Sequence, residues 1–160
     1  MSTTEVAFDS TEARDLAKVD MDFFGMLAMP DDVIYSFPEF YKQVWSILIG
    51  CLHKSRDFSK YAIGLPRGHG KTFVVKLLIL YTILFTDRKF ILVVSAIKDN
   101  AASIIADVAD MLDSPNIRAV FGNWRVSIEV DRQDKKKFYF NGRPVILKAA
   151  GAGTAIRRLS

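Results

Sequence analysis

Six consecutive residues, Arg67-Gly68-His69-Gly70-Lys71-Thr72, combine side chains and backbone freedom suited to gripping phosphate. The usual phosphate-binding loop reads G-x-x-x-x-G-K-[ST] between a strand and a helix. Gly70-Lys71-Thr72 supply its last three positions; the first glycine would fall at Leu65, and the nearest, Gly64, is one residue early. The loop is therefore a variant, but its chemistry is intact. Gly68 and Gly70 permit backbone angles that turn amide hydrogens inward as an anion-binding nest. Lys71 places a point charge near the β- and γ-phosphates of ATP, and the Thr72 hydroxyl suits Mg²⁺. The helix starting here aims its positive end at the same phosphates. Arg67, four residues before Lys71, brings a guanidinium able to neutralise a γ-phosphate as its bond breaks; the plainer reading is a solvent-facing loop arginine. His69 sits in the loop as a spacer between glycines. A Gly-Lys-Thr tripeptide also arises by chance in ordinary turns, so its flanks decide.

Those flanks are Tyr61-Ala62-Ile63-Gly64, which reads as a short buried strand, and an apolar helix from Lys71 to about Phe85. Lys89 to Ser95 is a near-continuous apolar run suited to a parallel strand covered on both faces. Lys98 to Leu112 repeats apolar residues at helical spacing. Upstream, Thr11 to Met29 is helical by the same criterion, Pro30-Asp31-Asp32 ends it, and a second helix runs from near Pro38 to about Lys54. Downstream, Arg125 to Val130 alternates as a strand would. Lys137–Phe140 and Pro144–Lys148 flank Asn141-Gly142, a hairpin turn signal. Strand, loop, helix, strand, helix and further strands predict an α/β fold of the P-loop NTPase type: a doubly wound, mainly parallel sheet with the N-terminal helices packed beside it. Residues 1–37 form the helical segment and 38–160 a partial nucleotide-binding domain.

Composition bounds the rest. Half of the 160 residues are hydrophobic, enough for a packed core. A single cysteine excludes an internal disulfide framework and a cysteine zinc cluster and fits a reducing cytosol. The longest apolar run, Phe73 to Phe85, is too short for a membrane span and carries Lys76. Residues 1–40 hold two basic and nine acidic side chains, net −7, against 20 and nine in residues 41–160, net +11. A basic body suits a polyanionic partner such as nucleic acid; a solvated surface around an ATP site accounts for it equally. Lys135-Lys136-Lys137 and Arg143 are the candidate contacts to DNA phosphates, with a solvated hairpin edge as the plainer reading.

Four segments together resemble the large terminase subunit of tailed bacteriophages, the motor that packages DNA. Leu65 to Thr72 is similar to that family's deviant Walker A loop with an arginine near its start. Ile91 to Ala96 is similar to its next strand, ending in a small polar residue before a helix near Lys98. Gly151-Ala152-Gly153-Thr154-Ala155-Ile156-Arg157 resembles the Gly-rich stretch leading to Ile-Arg-Gly, with Arg158 where the family has glycine. Phe40-Tyr41-Lys42-Gln43 resembles its adenine-contacting element. The resemblance implies ATP hydrolysis coupled to moving double-stranded DNA into a procapsid, in the cytoplasm of an infected bacterial host. It implies Lys71 and Thr72 on phosphate and Mg²⁺, Arg67 as an arginine acting in cis, Arg157 as one offered to a neighbouring subunit, and Gln43 on adenine. A homo-oligomeric ring, a small terminase subunit and a portal protein are the implied partners.

A hydrolysing motor of this kind needs an apolar strand ending in an acidic residue for Mg²⁺. The Lys89–Ser95 strand ends in serine, and Val145-Ile146-Leu147 runs into Lys148. The resemblance puts the acidic strand after Arg157 and a nuclease domain beyond it. The expectation is that this chain alone binds nucleotide weakly, hydrolyses it poorly, and leaves a sheet edge or apolar face uncovered. A helicase-like motor and a non-catalytic nucleotide-binding or assembly module are the alternatives.

Overall fold

The helix after the Gly-rich loop organises the computed structural model, which describes residues 10–53, 62–64, 67–68 and 70–153. The element order is α1 (Ser10–Val19), α2 (Met21–Ala28), α3 (Glu39–Leu52), α4 (Lys71–Phe85), β1 (Phe90–Ser95), α5 (Lys98–Leu112), α6 (Pro115–Phe121), a 3-10 turn (Trp124–Ser127), β2 (Val130–Arg132), β3 (Lys135–Phe140) and β4 (Arg143–Gly151). Helix α4 is apolar almost all round, and Val74, Leu77 and Ile79–Leu84 are buried. A helix of that kind must be surrounded. Helix α5 packs along it, and Lys76, the one charge within the apolar run, pairs with Asp107 of α5.

The N-terminal helices share this core. Phe24 of α2 meets Trp45 of α3 and Tyr81 and Phe85 of α4 at centroid distances of 6.1, 5.8 and 5.8 Å. Tyr81 is fully buried; its hydroxyl donates to the Lys18 carbonyl at 3.0 Å and lies 2.9 Å from His53 Nε2. Its one hydrogen goes to the carbonyl, so His53 Nε2 is the donor in that contact. The helix expected over Thr11–Met29 is two helices. Asp20 breaks it in an extended conformation and caps α2 by accepting from Phe23 N at 3.1 Å.

The sheet has the order β1-β4-β3-β2. Only β1 and β4 are parallel; β4–β3 and β3–β2 are antiparallel. The fold is thus α/β with a mixed sheet, and the expected mainly parallel sheet is not what these four strands form. Asn141 and Gly142 carry φ of 50° and 77°, so the β3–β4 turn has the two left-handed residues a tight hairpin requires. Once β3 and β4 form a hairpin, they are antiparallel by necessity, and only β1 arrives by a crossover. Arg125–Val130 is largely a 3-10 turn, not a strand; Asn123 accepts from Arg125 N at 3.1 Å and Trp124 inserts into the core. Ala62-Ile63-Gly64 form no strand and are exposed, against the buried strand expected there; Tyr61 lies outside the described residues.

Asp113 ties the middle of the chain together. It accepts from Arg118 at 2.9 Å, Trp124 Nε1 at 2.8 Å and Arg125 through two nitrogens, the shortest at 2.6 Å. Burial by itself pushes this carboxyl up; the hydrogen bonds from Arg125, Trp124 and Arg118 outweigh it and hold it below its ordinary value of 3.8. A carboxyl lowered by folding contributes stability that is complete above that ordinary value and disappears as pH falls through the lowered one. Asp113→Ala should therefore cost about 2 kcal/mol or more at neutral pH, since charge-assisted bonds vanish and buried Trp124 Nε1 loses its acceptor. The deficit should shrink as pH falls below about 4. Urea unfolding of both proteins across that range reads the difference; a deficit independent of pH would show that Asp113 does not titrate through these partners.

Candidate functional site

Gly70 has φ 67° and ψ 24°, a left-handed conformation, and is the residue from which α4 starts. Gly68 has φ 80°. Two glycines at positive φ, two residues apart and immediately before a helix, let successive amides turn to one side. No side-chain hydrogen bond caps α4 at this end. The first turn of a helix carries backbone donors without intrahelical partners, together with the positive end of its dipole. Lys71 and Thr72 are the first two residues of α4 and both are exposed, so a cation and a hydroxyl stand beside those donors. Arg67 is exposed in the turn with Gly68. His69 and Arg157 lie outside the described residues.

A second layer of side chains sets where α3 stands relative to this loop. The Tyr41 hydroxyl lies 3.7 Å from the position a Cβ on Gly70 would take. Phe37 meets Phe73, in the first turn of α4, at 5.6 Å. Asp22 fixes the approach: it accepts from Ser36 Oγ at 2.6 Å, Phe37 N at 2.6 Å and Lys42 Nζ at 2.8 Å. Burial pushes the Asp22 carboxyl up, and the bonds from Lys42, Ser36 and Phe37 more than reverse this. Phe40 packs on Tyr41 at 6.0 Å and leaves about half its surface exposed, at 52%. Gln43 is exposed one turn along α3, on the same face as Phe40 by its three-residue spacing. The structure thus brings the Phe40–Tyr41 element beside the loop. Asp22 and Phe37 were not singled out as positioning residues, and no short-range pattern marks them, because their partners belong to other elements.

The arrangement has the chemical features that suit an anion. Glycine-shaped backbone, a helix N-terminus and one lysine suit a phosphate chain, and an aromatic ring at the rim suits a planar base. The exposed Thr72 hydroxyl is a hard oxygen of the type that could hold Mg²⁺ beside a phosphate chain. Among the described residues, no group of three or more His, Cys, Asp or Glu side chains is arranged to hold a metal ion. The parallel strands β1 and β4 end side by side at Ser95 and Gly151, and neither terminal residue is acidic.

The cations suggested for DNA divide unequally. Lys136 pairs with Asp131 at 2.5 Å and Lys137 with Glu129 at 2.8 Å. Arg143 turns inward: it donates to the Ile83 carbonyl and, at 2.5 Å, to the Arg88 carbonyl, closing the C-terminal end of α4. Arg143 is thus engaged with backbone carbonyls of its own chain, and burial pushes its pKa down.

No family model matches the chain, and neither a curated protein nor a solved structure matches it. No helix among the described residues is long and apolar enough to cross a membrane.

Proposed function

We propose that this chain is a nucleotide-binding unit of the phosphate-loop class, holding ATP with Mg²⁺ at the start of α4. The observation that carries the reading is the left-handed Gly70 leading into a helix whose first two residues are exposed lysine and threonine. The phosphate chain lies against the amides at Gly68 to Thr72, with His69 as a spacer. Lys71 neutralises the outer phosphates and Thr72 meets Mg²⁺. Phe40 and Gln43 face the base, and Tyr41 sets the distance between α3 and the loop. Arg67 answers charge on the γ-phosphate, and Arg157 serves a neighbouring subunit.

At the finer level we propose a large terminase subunit's ATP-binding segment. In this reading ATP turnover in a homo-oligomeric ring moves double-stranded DNA into a procapsid, with a small terminase subunit and a portal protein as partners, in the cytoplasm of a bacterial host. The variant loop and the Gly-rich segment from Gly151 to Arg157 support it. A second reading, nucleotide binding without efficient hydrolysis, is favoured by the non-acidic ends of β1 and β4.

Affinity should follow phosphate number. Calorimetric titration should rank ATP and ADP, each with Mg²⁺, above AMP by at least about tenfold, since each charge-assisted phosphate contact is worth roughly 1.5–3 kcal/mol. AMP binding as tightly as ATP would move recognition from the loop to the base. For the DNA-motor part, nucleotide affinity should change several-fold when duplex DNA is added, because linkage makes coupling reciprocal. An unchanged affinity removes that part and leaves the nucleotide site standing.

A further inference from the structure

The two faces of the sheet are treated differently. Residues Val93, Phe138, Phe140, Val145, Leu147 and Ala149 point to the face covered by α5 and are buried. The alternate residues point the other way. There Phe90 is 50% exposed, Val94 49% and Tyr139 40%. Strand register builds a row of cations on this open face: Arg132 opposes Lys135, and Lys135 opposes Lys148, which is paired in turn with Leu92. At about 4.8 Å between strands the row spans roughly 10 Å. The neighbouring row is apolar at its β1 end, with Phe90 beside Ile146.

The carboxylates nearby are largely committed. Glu129 takes Lys137 at 2.8 Å; Asp134 takes Lys98 at 2.9 Å and lies 3.9 Å from Arg132. Among the described residues neither Lys135 nor Lys148 forms an ion pair. An apolar protein surface laid on this face would strip water from both lysines without replacing it. A polyanion does not incur that cost. A duplex, however, presents phosphates and keeps its bases stacked inside, so it gains nothing from Phe90. A single strand offers both phosphates for the cationic row and unstacked bases for an exposed ring.

We infer that the open sheet face binds a single strand of nucleic acid, with Arg132, Lys135 and Lys148 on phosphates and Phe90 under a base. The site is separate from the phosphate loop and does not depend on it.

Fluorescence anisotropy with a labelled oligothymidylate of about 15 nucleotides, and with a duplex of equal length, tests this. The wild-type chain should prefer the single strand. Lys135→Glu with Lys148→Glu should weaken it by at least about tenfold and lower the log–log salt slope by about 1.4, the value for two single-strand phosphate contacts. Phe90→Ala should weaken binding with the slope unchanged. Lys71→Ala should bind the strand as the wild type does, which separates this outcome from the nucleotide site. Lys135→Gln with Lys148→Gln, checked by thermal melt, covers the case in which charge reversal disturbs folding. Undiminished binding by both charge variants overturns the inference. So does equal binding of strand and duplex with Phe90→Ala neutral, or a concentration-dependent self-association that Phe90→Ala abolishes, which would make the face a contact between copies.

Discussion

Replacing Lys71 with alanine is expected to lower MgATP affinity by about tenfold to a hundredfold while leaving the fold intact. The size follows from losing one charge-assisted interaction, worth roughly 1.5–3 kcal/mol. The selectivity follows from position: Lys71 is the exposed first residue of α4, and alanine is the best helix former at such a site. Lys76→Ala supplies the contrast. It lies five residues further along the same helix and pairs with Asp107, so its loss should register in the melt and not in the nucleotide titration. Calorimetric titration and thermal melting of the two variants separate these effects. If Lys71→Ala binds MgATP as tightly as the wild type, the loop is a structural turn and the nucleotide reading fails.

Phe24→Ala carries the largest stability effect, a loss of about 3–5 kcal/mol. Phe24 is fully buried and touches Trp45, Tyr81 and Phe85, so truncation empties the junction of α2, α3 and α4. In a chain of this length each kcal/mol moves the midpoint by roughly 2–4 °C, so a fall on the order of 10 °C is expected. Nucleotide affinity should fall with it at temperatures near the new midpoint and recover on cooling, because Phe24 acts only through the seating of α4. Differential scanning calorimetry reads the shift. A loss below about 1 kcal/mol would mean that α1 and α2 are appended to the core and not part of it.

Local signals were legible where the forces that set them are local. Helices α4 and α5 run over the expected residues, Lys71–Phe85 and Lys98–Leu112, because long apolar periodicity is read within one element. The Asn141-Gly142 turn was legible for the same reason. Asp20 was missed as a helix break because its cap is a single side-chain bond inside an uninterrupted apolar pattern. Helix α6 is only seven residues long and begins at Pro115, which reads as readily as a plain turn. The alternation at Arg125–Val130 suggested a strand, but Asp113 draws Trp124 and Arg125 to itself, a partnership with no short-range signature. Sheet direction is likewise a matter of which strands find each other, and a hairpin at the end of the chain made most of the pairing antiparallel. Within the candidate site, Gly68, Gly70, Lys71 and Thr72 were readable as a motif. Tyr41 was readable only as part of a resemblance, and the Asp22–Phe37 support was not readable at all.

In the proposed site, backbone amides at the start of α4 hold a phosphate chain. Amide shifts of isotope-labelled chain, followed as MgATP is added, report on those atoms directly. The largest movements are expected at Gly68, Gly70, Lys71 and Thr72, saturating together, with smaller ones at Tyr41. Saturable movements confined to other parts of the chain, with these amides still, would contradict it.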